Sequence, residues 1–471
     1  MGRLTTLGKT TAILFLAKGA TQLVSLILLP LYTAVLSTVE YGEIDLYTSL
    51  SMLIIPFMTL QIEQSAFRYL VGNKDEELTC NTISSSIIVT VMMSLVALAV
   101  FVAISFAVSV ENIAWLSAFY LSQAASTLLL QIARGMGKNG VYGFGSFLLT
   151  LLSLSFNVIL VAVYRFGVNG AIASTTLANI IVTSFLAVRL HIPQFFCINT
   201  ITMHHLRKML GYSVPLIFNQ VSSWLINYSS RIILLVNLGM GANGIYAAAS
   251  KFSNALSTVF GTFNLAWTEN VVLSSGDDDY TSYLSKMMTA VLKVYLGLTG
   301  ILITLMGLLF PLLINLRYAD AYYHIPLLLG GMFFSGAAAV IGSIYIAFEK
   351  TGSIAVTTCI SGVTCLAINA LTVKLLGLYS SSISNIIAFG ALFSYRYIKM
   401  HTFCKSKIKW VSLVPFAVFL LVICAAYYLR IDSALFICLL VVVILFLRGL
   451  IQSGLIQKFR GGWYGRSNGK Q

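Results

Sequence analysis

The sequence predicts an all-α protein that crosses a membrane many times, and three observations predict it. Of its 471 residues 58% are hydrophobic and only 9% charged, where a soluble domain carries about a quarter charged residues. Apolar runs of about 20 residues recur from end to end, each long enough to cross a hydrocarbon core of about 30 Å. Lys and Arg concentrate in alternate loops, as the positive-inside bias requires. A β-barrel would instead show alternating segments of about 10 residues, a pattern this chain lacks.

Taken in order, about fourteen spans are expected. Six form a first group at 11–35, 45–70, 83–109, 113–133, 142–164 and 170–190. Six more lie at 211–238, 245–268, 286–315, 325–347, 354–375 and 381–400, and two at 411–428 and 434–450. The first carries Lys18 and no small-residue cleavage site, so it reads as a retained helix rather than a signal peptide. With the N-terminus placed in the cytoplasm, twenty-one basic residues fall in inner loops and flanks and four in outer loops, with Lys18, Arg231, Lys251 and Lys293 inside spans. Both termini are then cytoplasmic. The net charge of +14 reports topology and anionic head groups, not nucleic acid.

An internal repeat divides the spans. KNGVYGFGSFLLTLLSLSFN runs from Lys138 to Asn157 and KTGSIAVTTCISGVTCLAIN from Lys350 to Asn369, each opening on Lys-x-Gly. A short loop with Gly167 or Gly377 follows each, and EYGEIDLYTSL around Gly42 matches ANGIYAAASKF around Gly244. These matches predict two pseudo-symmetric six-helix lobes, 1–205 and 206–400, joined by INTITMHHLRKML. An even number of spans gives them the same topology, related by an axis along the membrane normal. Residues 401–471 supply two extra helices and a basic tail. Two bundles suggest a cavity open to one side and then the other.

The polar residues inside spans carry the functional reading. On the seventh span Gln220, Ser223, Asn227 and Arg231 follow helical spacing and line one face. A guanidinium facing lipid costs about 2.5–3.5 kcal/mol, so that stripe points to a wet surface. Lys251, Asn254 and Thr258 repeat the pattern on the eighth span. Lys18 and Gln22 share a face of the first, and Gln61, Gln64 and Arg68 run down the second. Glu63 reads as the only carboxylate well inside a span, a candidate for ion coupling or a partner for Arg68 or Lys18. Lys293 reads as snorkelling to the head groups. Cations with few acids suit an anionic substrate, phosphate in particular.

Metal and redox chemistry find no support. The seven cysteines make no disulfide framework and no metal motif, and no cofactor or nucleotide loop is expected. His204 and His205 beside Arg207 read as a solvated surface, and Asp277, Asp278 and Asp279 as a solvated turn.

The N-terminal LGKTTAILFLAKGATQLVSLILLPLYTAVLSTVEYGEIDLY resembles the opening of Wzx-type O-antigen and capsule repeat-unit flippases. These belong to the multidrug/oligosaccharidyl-lipid/polysaccharide exporter superfamily. YSVPLIFNQVSSWLINYSSRIILLVNLGMGANGIYAAASKF is similar to the family's second-half pattern, and FEKTGSIAV to its Lys-Thr turn. The resemblance covers roughly 1–400. It implies a bacterial inner-membrane carrier that moves an undecaprenyl-diphosphate-linked oligosaccharide, an O-antigen or capsule repeat unit, from the cytoplasmic to the periplasmic leaflet. It also implies association with the polysaccharide polymerase and chain-length machinery. In one departure Ser230 precedes Arg231 where the family often has Asp. A local Asp–Arg pair is therefore absent, so Arg231 is expected to be freer to meet an external anion, or to depend on another partner.

Other readings are a multidrug/cation antiporter or a peptidoglycan-precursor flippase of the same superfamily. An enzyme, such as a polymerase, needs sizeable outer loops or an acid-rich metal site, and neither is seen. The expectation is a carrier and not an enzyme.

Overall fold

The computed structural model describes residues 26–107, 113–274 and 279–452. Every long element among them is a helix and none is a strand. The helices are α1 (Leu26–Val35), α2 (Thr38–Thr59), α3 (Ile62–Leu70), α4 (Glu76–Ala107), α5 (Ile113–Gly135), α6 (Asn139–Asn157), α7 (Gly167–Arg189) and α8 (Ile192–Phe195). There follow α9 (Met203–Leu238), α10 (Met240–Leu273), α11 (Tyr280–Leu313), α12 (Ala321–Ala347), α13 (Thr351–Leu376), α14 (Tyr379–Met400), α15 (Val414–Tyr428) and α16 (Asp432–Gln452). By length and composition, eight of the described helices can cross a membrane, or nine if α2 and α3 make one bent span. About fourteen were expected from the sequence. The helices α9 and α10 have 36 and 34 residues and the length to cross, but they carry polar stripes and are less apolar than the eight.

The described chain forms two compact units. One runs to Leu235 and includes Gly239–Gly244; the other holds Val236–Leu238 and continues from Ile245. In the first unit Ile62, Ala66 and Leu70 of α3 stack at one-turn intervals against Ile83, Leu128, Ile132, Val182 and Leu186. That spacing turns one face of each helix inward. Ser37 and Glu40 start α2 with a capping box, the Glu40 N–H donating to Ser37 Oγ at 3.2 Å and the Ser37 N–H to Glu40 Oε2 at 2.8 Å.

The second span is not the continuous helix expected over 45–70. Leu60 and Gln61 take left-handed backbone, φ 50° and 55°, and α3 leaves α2 at 63°. Each such non-glycine residue costs about 1–3 kcal/mol, so the surrounding packing holds the break.

In the second unit α14 packs between α12 and α13, and α11 lies against α12, α15 and α16. Gly336 lets Phe260 stack on Tyr295 with centroids 3.8 Å apart; a Cβ there would come within 2.6 Å of the Phe260 ring. The extra helix α15 is pinned by a reciprocal pair. Tyr322 Oη donates to the Tyr427 carbonyl and Tyr427 Oη to the Tyr322 carbonyl, each at 2.9 Å, with the rings stacked at 4.1 Å.

Each unit also buries the asparagine that the repeat places in it. Asn157 accepts from Tyr32 Oη at 2.6 Å, and Asn369 accepts from Ser380 Oγ at 2.8 Å. A buried amide in apolar surroundings needs such partners. Gly167 and Gly377 both take left-handed φ, 56° and 55°, which glycine adopts without a side-chain clash.

Candidate functional site

A polar seam in the first unit runs along one face of α2. Thr38, Gly42, Asp45 and Ser49 lie three or four residues apart and so share that face. Trp224 Nε1 on α9 donates to the Ser49 carbonyl at 2.8 Å. Two turns later on α9, Arg231 Nε donates to Asp45 Oδ2 at 2.5 Å, with Nη2 3.5 Å from Oδ1. At the start of α10, Asn243 Nδ2 donates to the Gly42 carbonyl at 2.8 Å. There the backbones touch: a Cβ on Gly244 would overlap the Thr38 carbonyl oxygen. Small residues at both positions are what permit so close an approach.

Asp45 bears on two expectations. Of the two offered for Arg231, an external anion or another partner, the structure shows the second: its side chain is 4% exposed and carries a carboxylate partner on another helix. Glu63 is not the only buried carboxylate, since Asp45 is 8% exposed. Arg231 Nη1 also donates to the Asn227 carbonyl at 3.2 Å, and its guanidinium lies 4.8 Å from the Tyr228 ring centroid. The pair removes the net charge that would make the site costly in a membrane. Breaking it would strand a buried ion, at about 3–5 kcal/mol.

The other residues singled out in the sequence take different places. Lys18 and Gln22 lie outside the described residues, as do Asp277 and Asp278. Gln61 is half-buried at the α2–α3 break, and Arg68 is exposed with its guanidinium 4.3 Å from the Tyr212 ring. Gln220 is half-buried, and Asn227 is exposed with Nδ2 donating to the Ser223 carbonyl at 2.8 Å. Lys251, half-buried, and Asn254, exposed, belong to the second unit. Lys293 is half-buried with Nζ 5.9 Å from the Phe416 ring.

Glu63 is buried in the first turn of α3, just past the break, and its Oε2 has no hydrogen-bond partner among the described residues. It forms no ion pair with Arg68 among those residues, where the pairing of base with acid is Arg231 with Asp45. A buried carboxylate with one oxygen unpartnered is costly in such a place, and a broken helix beside it is a recurrent setting for ion and substrate sites in carriers.

Two further positions escaped sequence reasoning. Arg396, counted there among cytoplasmic flanking residues, is 4% exposed in the second unit. Its Nε donates to Thr357 Oγ1 at 3.0 Å, Nη1 to the Ala338 carbonyl at 3.2 Å, and Nη2 to Thr358 Oγ1 at 2.6 Å and the Ile354 carbonyl at 3.0 Å. His205 is not solvated either. It is buried, its Nε2 3.0 Å from Thr82 Oγ1 and its ring edge-on to Tyr69; His204 beside it is exposed. Burial, reinforced by Lys208 and His204, holds the His205 pKa below the usual histidine value.

Comparison with known structures gives the fold. A structure described as "Lipid II flippase MurJ, inward closed conformation" aligns with a TM-score of 0.71 at 15% identity, over 95% of this chain and 99% of that one. A multidrug resistance MATE family transporter of the MOP superfamily, in an inward-facing conformation, aligns with a TM-score of 0.66 at 14% identity, over 82% and 95%. The fold is therefore the polytopic helical fold of these transporters. No curated protein sequence matches the chain. The sequence profile of the family described as "Polysaccharide biosynthesis protein" matches residues 7–268.

Proposed function

Because the chain belongs to the polysaccharide biosynthesis protein family, we propose that it is a flippase for an undecaprenyl-diphosphate-linked oligosaccharide, an O-antigen or capsule repeat unit. It works in the bacterial inner membrane with both termini in the cytoplasm, moves its cargo to the periplasmic leaflet by alternating access, and is a carrier rather than an enzyme. The observation that carries this reading is the family match on a chain with the fold of flippases and exporters.

Physical chemistry supports the cargo. Sugar hydroxyls stripped of water in hydrocarbon cost several kcal/mol each unless they are paired. The Gln220, Ser223 and Asn227 stripe in the first unit, with Gln61, Arg68, Gln22 and Lys18, and the Lys251 and Asn254 stripe in the second, offers replacement partners. Moving two negative charges outward across 100 mV, inside negative, releases about 4–5 kcal/mol. Arg231 takes part by exchange: the diphosphate displaces Asp45 as its counter-ion. Glu63 is the ion-coupling residue, its buried carboxyl taking up and releasing a proton during the cycle. The polymerase and chain-length machinery receive the flipped unit.

Deletion of the gene tests the reading. Surface glycan should be lost while undecaprenyl-linked units accumulate on the inner leaflet, and the wild-type chain should restore export. Unchanged glycan together with new sensitivity to cationic dyes would support the multidrug antiporter instead, and complementation of a strain lacking peptidoglycan-precursor flipping would support the third member of the superfamily.

A further inference from the structure

Between α14 and α15 the chain from Cys404 to Lys409 has no regular secondary structure, and its side chains alternate strictly in and out. Cys404, Ser406 and Ile408 are buried at 4%, 0% and 4% exposure, while Lys405, Lys407 and Lys409 are exposed. The alternation places the three ammonium groups in a row on the exposed side of the segment. That row ends at Trp410, where an apolar segment long enough to cross the membrane, Trp410–Tyr428, begins.

The segment is built into the second unit. Ser285 and Thr289, one turn apart on α11, donate their hydroxyls to the carbonyls of Thr281 and Ser285 at 2.7 and 2.8 Å. Their remaining lone pairs accept the Lys407 and Lys409 backbone N–H groups, at 2.9 and 3.1 Å. Ser406 Oγ donates to the Thr281 carbonyl at 3.2 Å, and the Ile408 N–H donates to Tyr397 Oη of α14 at 3.1 Å. The Trp410 ring stands edge-on to Tyr397 with centroids 5.5 Å apart and stays half exposed. A strap fixed on both sides turns its lysines outward without losing their register.

We propose that this strap is a binding site for the phosphate head groups of anionic membrane lipids, seated at the inner face of the bilayer. The occupant follows from position and charge. Three lysines immediately ahead of a membrane span attract anionic head groups, and an aromatic ring at the same level sits at the membrane–water boundary. The site requires that the chain spans a membrane with this loop inside; it does not require that the cargo be a sugar lipid.

The test uses the full-length protein in neutral detergent micelles doped with phosphatidylglycerol or phosphatidylcholine, with bound lipid counted by native mass spectrometry. Wild type should retain phosphatidylglycerol preferentially. The K405Q/K407Q/K409Q variant should lose that preference by on the order of 100-fold in apparent affinity, and K405R/K407R/K409R should keep it. Ser285→Ala, which removes the hydroxyl that receives the Lys407 N–H but no charge, should weaken it by several-fold. Equal melting temperatures in undoped micelles confirm that the variants are folded. An unchanged preference in the glutamine variant would overturn the proposal, as would an effect confined to charge with Ser285→Ala identical to wild type. Competition by inorganic phosphate or poly-glutamate at concentrations that match the lipid would likewise overturn it, in favour of a soluble acidic partner.

Discussion

Two arginines are buried among the described residues, one in each unit, and they are held in opposite ways. Arg231 sits against the Asp45 carboxylate, so the pair is close to neutral. Arg396 keeps its charge and spreads it over two hydroxyls and two carbonyls contributed by α12 and α13. A cation held by an anion can trade that anion for another at modest cost, because both states are paired. A cation held by fixed carbonyls and hydroxyls has no mobile partner to exchange, and it fastens three helices together. The contrast fits the exchange proposed for Arg231 and gives Arg396 the contacts of a structural anchor.

The sharpest way to break this contrast is to remove Asp45. Asp45→Ala leaves Arg231 buried without its counter-ion and should destabilise the protein by about 3–5 kcal/mol, read as a lower melting temperature in detergent. Adding Arg231→Met should restore most of that loss while export of lipid-linked glycan stays abolished. A double variant that exports normally would reduce the pair to an anchor of the Arg396 kind. Arg396→Lys should cost less, about 2–3 kcal/mol, because an ammonium cannot reach acceptors on both helices and leaves some unpaired. Export per folded molecule should stay unchanged in that variant.

Gly244→Ala probes the seam that brings Asp45 to Arg231. Its Cβ would overlap the Thr38 carbonyl, and overpacking of this kind costs about 1–3 kcal/mol. Gly241→Ala is the control: its Cβ would meet Thr38 Oγ1 at 3.3 Å, and a hydroxyl can rotate away. Similar melting temperatures for the two variants would mean that the α2–α10 approach is loose enough to yield.

Much of the fold was legible in the sequence, and the reason is chemical. A bilayer forces backbone groups to pair within a helix, so each apolar run declares its own element. The Lys-x-Gly repeat led to Asn157 and Asn369, both buried and paired, because a polar residue in an apolar helix has to find a partner. The site was only half legible. Arg231 and its stripe stood out, but Asp45 lies 186 positions away, and helix-by-helix periodicity says nothing about which acid faces which base. The α2–α3 break was hidden because Leu60 and Gln61 adopt left-handed backbone without a glycine to announce it. Arg396 was read only as a flanking charge because Tyr395, Tyr397 and Lys399 around it look like a membrane flank; its burial against α12 and α13 depends on partners far away in sequence.

The smallest expected effect concerns His205, and it sharpens the comparison by asking whether a third buried base resembles either arginine. Its folded pKa is depressed by burial, then by Lys208 and His204, so the unfolded chain takes up a proton at higher pH than the folded one. Stability should therefore be flat at neutral and higher pH. It should fall as pH drops through the unfolded value of about 6.5 towards the lower folded value, and level off below that. His205→Gln, which keeps a hydrogen-bonding side chain near Thr82 without a titrating group, should flatten the melting temperature across that window. If wild type and the His205→Gln variant lose stability in parallel, the acid sensitivity does not come from this ring.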